Sequence, residues 1–352
     1  MNFTDILKNI LSNQSIVGAI SSATLIILFG YYLRKKSTLD KATAKILSDV
    51  ILSASLPALA FNSFMQDINS KALTQGINLL VWGFAMYIIF IFLSKIFYLK
   101  YSGDKEMILR ILTVFGSTTF FGIPIIGAAY GPTGVMYASI FNIAYRVFLY
   151  SYVYIKISGI KMEKKNIKEM FLNPIVVATF LGMFIWIFQN SLPQVQVTVK
   201  DTTESFAFLR IDKTANWLFT PMKYLATLAS PLAWLSIGAK LSDISLKDAF
   251  TDKTSWYYTV VKIVCIPLLN IVILYVLNIT NILPISFVGV ASVVIMMSTP
   301  PAAVAAAYSI KFDKEAVLTS NCSLLATVIC VVFMPIWIII LEIVKSLNLF
   351  AL

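Results

Sequence analysis

The sequence predicts an all-α polytopic membrane protein, and three observations carry that reading. Apolar runs of 18 or more residues recur along the chain, each long enough to cross a hydrocarbon core of about 30 Å. Of the 352 residues, 59% are hydrophobic and 13% charged, about half the charge of a soluble domain. The Lys and Arg residues lie in short connections between the runs rather than in a basic soluble domain. The net charge of +11 therefore reads as membrane topology, and nucleic acid is not expected as a partner.

Taken in order, the runs give ten expected spans: 16–33, 46–66, 73–97, 107–130, 134–157, 171–189, 216–240, 255–277, 283–308 and 316–343. Residues 1–14 lack the basic region of a cleavable signal, and the run that follows is a full span. They are read as a candidate interfacial helix. Nineteen of the 28 Lys and Arg fall in alternate connections (34–45, 95–110, 156–169, 240–253 and 309–315), and six in the opposite set with both termini. The bias places the basic loops in the cytoplasm and both termini outside a multi-pass cytoplasmic membrane protein. The long outside connection 191–215 contains VQVTVK, which alternates like a strand and can start a hairpin.

The two halves look related. Pro57 and Pro231 are 174 residues apart, Pro124 and Pro300 are 176 apart, and Asn142 and Asn321 are 179 apart. A duplicated unit of five spans would place its copies in opposite orientation, the inverted-repeat plan of many secondary transporters. The competing reading is chance recurrence of proline in membrane helices.

Two spans carry helix-breaking residues. In GSTTFFGIPIIGAAYG (116–131) these are Gly122 and Pro124; in SVVIMMSTPPAAVAAAY (292–308) they are Pro300 and Pro301. Proline removes a backbone hydrogen bond and clashes one turn back, and hydrocarbon cannot satisfy what is freed. Pro124 and Pro300 are expected in the first turn of a following half-helix, where the missing N–H costs little. The half-helices then aim free N–H groups and positive dipole ends at a common centre.

Arg146 stands alone in GVMYASIFNIAYRVFLYSYVYI (134–155). It lies about 12 residues, or ~18 Å, from the outer end, where a charge costs roughly 2.5–3.5 kcal/mol. The spans offer no Asp or Glu at that depth, so an anion is expected to pair with the guanidinium; the alternatives are helix carbonyls or snorkelling. Ser139, Asn142 and Arg146 share a helical face. They either line a substrate cavity or bond between helices. Ser117, Thr118, Thr119 and Thr299 flank the breaks, and Asn321 gives the tenth span a polar position; each either donates to an anion or satisfies local carbonyls. Lys240 and Lys262 are expected to snorkel to the cytoplasmic edge.

Several chemistries are absent. The chain contains no His, which removes a Ser-His-Asp triad, His-ligated zinc and a His proton relay. Cys265, Cys322 and Cys330 fall in apolar runs and read as packing residues, not metal ligands. No catalytic residue, metal or cofactor is expected, and an enzyme is not the favoured class.

LPALAF (56–61), FFGIPIIGAAYG (120–131), SPLAWLSIGAKL (230–241), MSTPPAAVAAAYSIKFD (297–313) and SNCSLLATVICVVFMP (320–335) resemble, in order, the auxin efflux carrier family in its bacterial branch, the malate permeases. The resemblance implies two inverted five-helix repeats whose broken fourth and ninth helices cross at the membrane centre. It implies a scaffold and dimerisation domain (1–66 and 170–241) and a transport domain (72–158 and 254–345) that moves against it like an elevator. It also implies a homodimer in membrane lipid and a small organic anion as substrate. Plant members place asparagines beside the crossover, where this chain has Ile123 and Thr299, which shifts weight onto Arg146, Asn142 and the Ser/Thr groups. The lack of His and of buried carboxylates favours uniport or exchange over proton or sodium coupling. The other classes weighed are an anion channel and an organic-acid sensor on a transporter fold.

Overall fold

The computed structural model describes residues 12, 14–159, 164, 171–199, 202–242 and 250–350. The candidate interfacial helix at 1–14 lies almost wholly outside them. Helix α1 (Gln14–Lys35) is followed by α2 (Lys41–Val50), a π-helical turn Ile51–Ser55, and α3 (Leu56–Ser63). Asp40 caps α2 by accepting from the Thr43 N–H at 2.6 Å, and Asn69 caps α4 (Ser70–Phe97) by accepting from Ala72 at 2.8 Å. Such caps satisfy N–H groups that have no partner inside the helix.

Helix α5 (Gly103–Val114) ends in an extended stretch, and a second π turn, Thr118–Gly122, leads into α6 (Ile123–Phe148). Within α6 the chain bends at Gly131, φ 63° and ψ −158°, immediately before Pro132. A side chain at Gly131 would be strained, so Gly131-Pro132 separates two helical segments where the sequence predicts a connection. A third π turn, Leu149–Val153, joins α6 to α7 (Tyr154–Ser158).

Helix α8 (Pro174–Phe188) is capped by Asn173. It leads to β1 (Gln194–Val199) and β2 (Thr202–Ala207), antiparallel with Gln194 opposite Ala207 and Val199 opposite Thr202. The alternation of VQVTVK does start a hairpin. Arg210, 2% exposed, pins it: the guanidinium donates to Asp67, Asp212 and Gln189 at 2.9, 2.8 and 2.6 Å. Burial acts to lower the Arg210 pKa, but the hydrogen bonds to Asp212 and Asp67 outweigh it and leave the pKa raised.

The second half runs α9 (Ile211–Thr214), α10 (Asn216–Thr227), α11 (Ala229–Ser242), α12 (Lys253–Val260), a π turn Val261–Cys265 and α13 (Ile266–Ile279). Then come α14 (Phe287–Met297), a non-helical stretch, α15 (Ala303–Lys311) and α16 (Ala316–Ser346). Among the described residues, Ile16–Lys35, Lys45–Ser63, Ser70–Phe97, Lys253–Ile279 and Ala316–Ser346 are long and apolar enough to cross a membrane. The protein is a multi-pass helical membrane protein.

Two sets of neighbours stand out in the packing. Helix α11 lies along α1 and α2, while α8 and α10 lie against α3. Helix α6 packs on α4 and α14, α13 on α14, and α12 on α16. The second set buries most of the wholly enclosed residues, among them Tyr87, Phe90, Phe115 and Phe141 and nearly all of α14.

Candidate functional site: two helix breaks and a buried arginine

The breaks at Phe115–Ser117 and at Ser298–Ala302 meet. The Ser117 N–H donates to the Pro300 carbonyl at 2.7 Å, and the Ala302 N–H to the Phe115 carbonyl at 2.9 Å. Gly116 and Pro301 pair as a short antiparallel bridge. Each break thereby supplies hydrogen-bond partners to the other, which answers how interrupted backbone is satisfied inside an apolar interior.

The position of the first break differs from the sequence expectation. Gly122 and Pro124 both have helical backbone, Gly122 inside the π turn and Pro124 in the first turn of α6. The extended residues come earlier, where pairing with the second break competes with helix continuation. Pro124 thus holds the first-turn place expected of it, whereas Pro300 lies in the non-helical stretch rather than in the first turn of α15, which starts at Ala303. Pro301, with no N–H of its own, occupies the bridge itself.

Arg146, 7% exposed, lies one turn beyond Asn142 on α6, and both face the π turn after the first break. Arg146 Nη2 donates to Thr119 Oγ1 at 3.3 Å, Asn142 Nδ2 donates to the same oxygen at 2.8 Å, and Thr118 Oγ1 donates to Asn142 Oδ1 at 2.7 Å. No carboxylate forms an ion pair with Arg146 among the described residues. Ser139, Asn142 and Arg146 line a small cavity with Ile123 and with Ile175, Val176 and Thr179 of α8. The Ser139 hydroxyl is buried there without a hydrogen-bond partner among the described residues.

The other expected site residues separate into two kinds. Ser117 is held in the break through its backbone. Thr299 turns its hydroxyl back to the Met296 carbonyl at 2.7 Å, and Asn321, half-buried on α16, bonds none of the Arg146 group. The structure thus brings Thr118, Thr119, Ser139, Asn142 and Arg146 together; Thr299 packs against Gly116 and Gly122 without a hydrogen bond to that group, and Asn321 does not join it.

Lys262 departs furthest from expectation. It does not snorkel: it is 0% exposed, inside the π turn Val261–Cys265. Sequence reasoning also missed the α8 wall of the cavity. Thr179 was the available signal, a polar residue in an otherwise apolar run, although its hydroxyl also bonds the Ile175 carbonyl at 2.7 Å.

Paired helix breaks beside a buried cation that pairs with no carboxylate among the described residues point to a membrane-transport class of protein. The comparison with known families agrees. The family described as membrane transport protein matches residues 15–169 and 158–338, and the chain belongs to that family, the one the auxin-efflux-carrier resemblance indicated. An uncharacterized transporter of Methanothermobacter thermautotrophicus is 22% identical over 328 residues, covering 91% of this chain and 96% of that protein. Another, from Methanocaldococcus jannaschii, is 21% identical over 232 residues, covering 63% of this chain and 68% of that one.

Proposed function

We propose that the protein is a secondary transporter of a small organic anion, a malate-like carboxylate, across the cytoplasmic membrane. The observation that carries this reading is Arg146. A guanidinium stays charged at any physiological pH, and leaving it buried without a counter-charge is costly. Here Thr119 accepts from it at 3.3 Å and the Tyr150 hydroxyl lies within its reach, two neutral groups that supply no counter-charge, and it borders a cavity beside the Asn142 amide and a Ser139 hydroxyl without a partner among the described residues. A carboxylate in that cavity would gain charge-assisted hydrogen bonds and complete the pairing.

The carrier works by alternating access of an elevator type. Its ten spans form two inverted five-helix repeats, with both termini outside. Spans one, two, six and seven make a dimeric scaffold; spans three to five and eight to ten make the moving domain. What supports the division is the pairwise packing of helices within each set and the site cavity between them, walled by α6 on one side and α8 on the other. A cavity at such a boundary changes its surroundings when one domain slides past the other.

Binding is checked first on the purified protein. Malate at millimolar concentration should raise the unfolding temperature, and the shift should vanish in Arg146→Ala while that variant keeps its folded yield. A shift of equal size in Arg146→Ala would contradict the anion site.

A further inference from the structure

Lys262 is a buried cation that the anion reading leaves unused. Its Nζ has no hydrogen-bond partner among the described residues, and it lies against the crossing itself. A Cβ built on Gly116 would stand 3.0 Å from that Nζ and 2.4 Å from Thr299 Oγ1. Only glycine leaves the amine room beside the paired backbone. Three residues further along, Thr119 accepts from Arg146.

The surroundings offer Lys262 no standing counter-charge. From α16 it faces Cys330, whose thiol donates to the Ser298 carbonyl at 3.3 Å. On its own helix, Tyr258 gives its hydroxyl to the Leu112 carbonyl at 3.0 Å, and Cys265 is a free thiol. Asp252 and Lys253 lie at the far end of α12. On α5 Asp104, Lys105 and Glu106 are in the first turn, and Arg110, further along, is taken by Glu106 at 3.0 Å and by the Ile91 carbonyl at 2.7 Å. No carboxylate forms an ion pair with Lys262 among the described residues.

An ammonium buried in that position without a counter-charge is strongly disfavoured. Arginine cannot escape such a penalty, whereas lysine can by giving up its proton. The cavity under Arg146 does not reach Lys262, so the anion itself is not its ligand. A proton is small enough. The π turn that carries Lys262 is a type of irregularity concentrated at functional sites.

We propose that Lys262 is the proton-binding site of the carrier. It takes up one proton for each anion that settles at the crossing and returns it to water when the anion leaves. On the loading side a hydronium ion loses one O–H bond as its proton bonds to the Nζ lone pair, leaving water; on the unloading side that N–H bond breaks and water takes the proton back, so nothing is oxidised or reduced. Negative charge entering beside Thr119 stabilises the ammonium, and by reciprocity the ammonium tightens anion binding by the same factor. This rests on the anion reading, but its test does not depend on knowing the anion.

The experiment uses the full-length chain, labelled with 15N-lysine in lipid nanodiscs. The Lys262 side-chain resonance is the one that vanishes in Lys262→Met, or in Lys262→Arg if the methionine variant does not insert. Over a pH titration it should pass between ammonium and neutral amine, and saturating malate should raise the midpoint by roughly one pH unit, a tenfold coupling. An ammonium throughout the range overturns the proposal whatever the anion. So does a midpoint that stays fixed while malate protects the protein against heat. If malate gives no protection, the malate reading fails separately and lactate and benzoate take its place; a midpoint that none of them moves overturns the coupling.

Discussion

The two breaks share a backbone plan and differ in what surrounds them. Around the first, side-chain polarity is networked: Thr118, Thr119, Asn142 and Arg146 are joined by three hydrogen bonds, and Asn142 and Arg146 border a cavity. Around the second it turns inward: Ser298 donates to the Ile295 carbonyl at 2.9 Å, Thr299 donates to the Met296 carbonyl, and Met296, Met297 and Ala302 are buried apolar residues. The lesson is that a near-symmetric backbone need not carry a symmetric site. The second break serves the first as its hydrogen-bonding template, while the polar groups that face open space come from α6.

Mutations in matched pairs sharpen or break that comparison. The largest effect is expected at Arg146. Losing a charge-assisted pair to the substrate is worth about 1.5–3 kcal/mol, so Arg146→Ala should lower anion affinity by about 10- to 100-fold at unchanged membrane insertion. That is read by titration of the purified protein with malate.

Gly116→Ala comes next, since its new Cβ would sit 2.4 Å from Thr299 Oγ1, against 3.3 Å to the nearest atom for Gly122→Ala. Overpacking of that kind costs about 1–3 kcal/mol. Gly116→Ala should lower the unfolding temperature by several degrees and Gly122→Ala by clearly less, a difference that a thermal melt resolves.

A smaller contrast is expected between the threonines. Thr119→Val removes the acceptor shared by Asn142 and Arg146, a change of about 1 kcal/mol or roughly fivefold in affinity. Thr299→Val removes one local bond to Met296 and should leave affinity within about twofold, the size expected for a group that never meets the ligand. Equal losses in the two variants would mean that both breaks contact the anion. Asn321→Ala should change least, because its half-buried amide bonds nothing among the described residues; radiolabel binding measures it.

Much of this was legible in the sequence, for local reasons. The apolar runs, the Gly131-Pro132 bend and the strand alternation in VQVTVK are encoded in adjacent residues. The spacing of Ser139, Asn142 and Arg146 is a helical period, and the face it predicts is the one that borders the cavity. The exact break was not legible. Proline marks where a helix is weakened, but Phe115–Ser117 is extended because residues 300–302 offer its backbone non-local partners. Lys262 failed for a related reason. Its distance from the end of an apolar run resembles that of a snorkelling residue, and its burial depends on the crossing packed over it. Thr299 was singled out for flanking a break and Asn321 for its repeat offset from Asn142, and both criteria fix backbone positions and leave side-chain directions free.

The central claim is that Arg146 receives an organic anion that the protein then moves. The most direct measurement is uptake of radiolabelled malate into proteoliposomes holding equal amounts of wild type or Arg146→Ala. A sodium gradient, a proton gradient and a membrane potential would each be imposed separately. Wild type should accumulate malate above empty liposomes under at least one gradient, with Arg146→Ala at background throughout. Uptake by Arg146→Ala at wild-type rate and affinity would contradict the account.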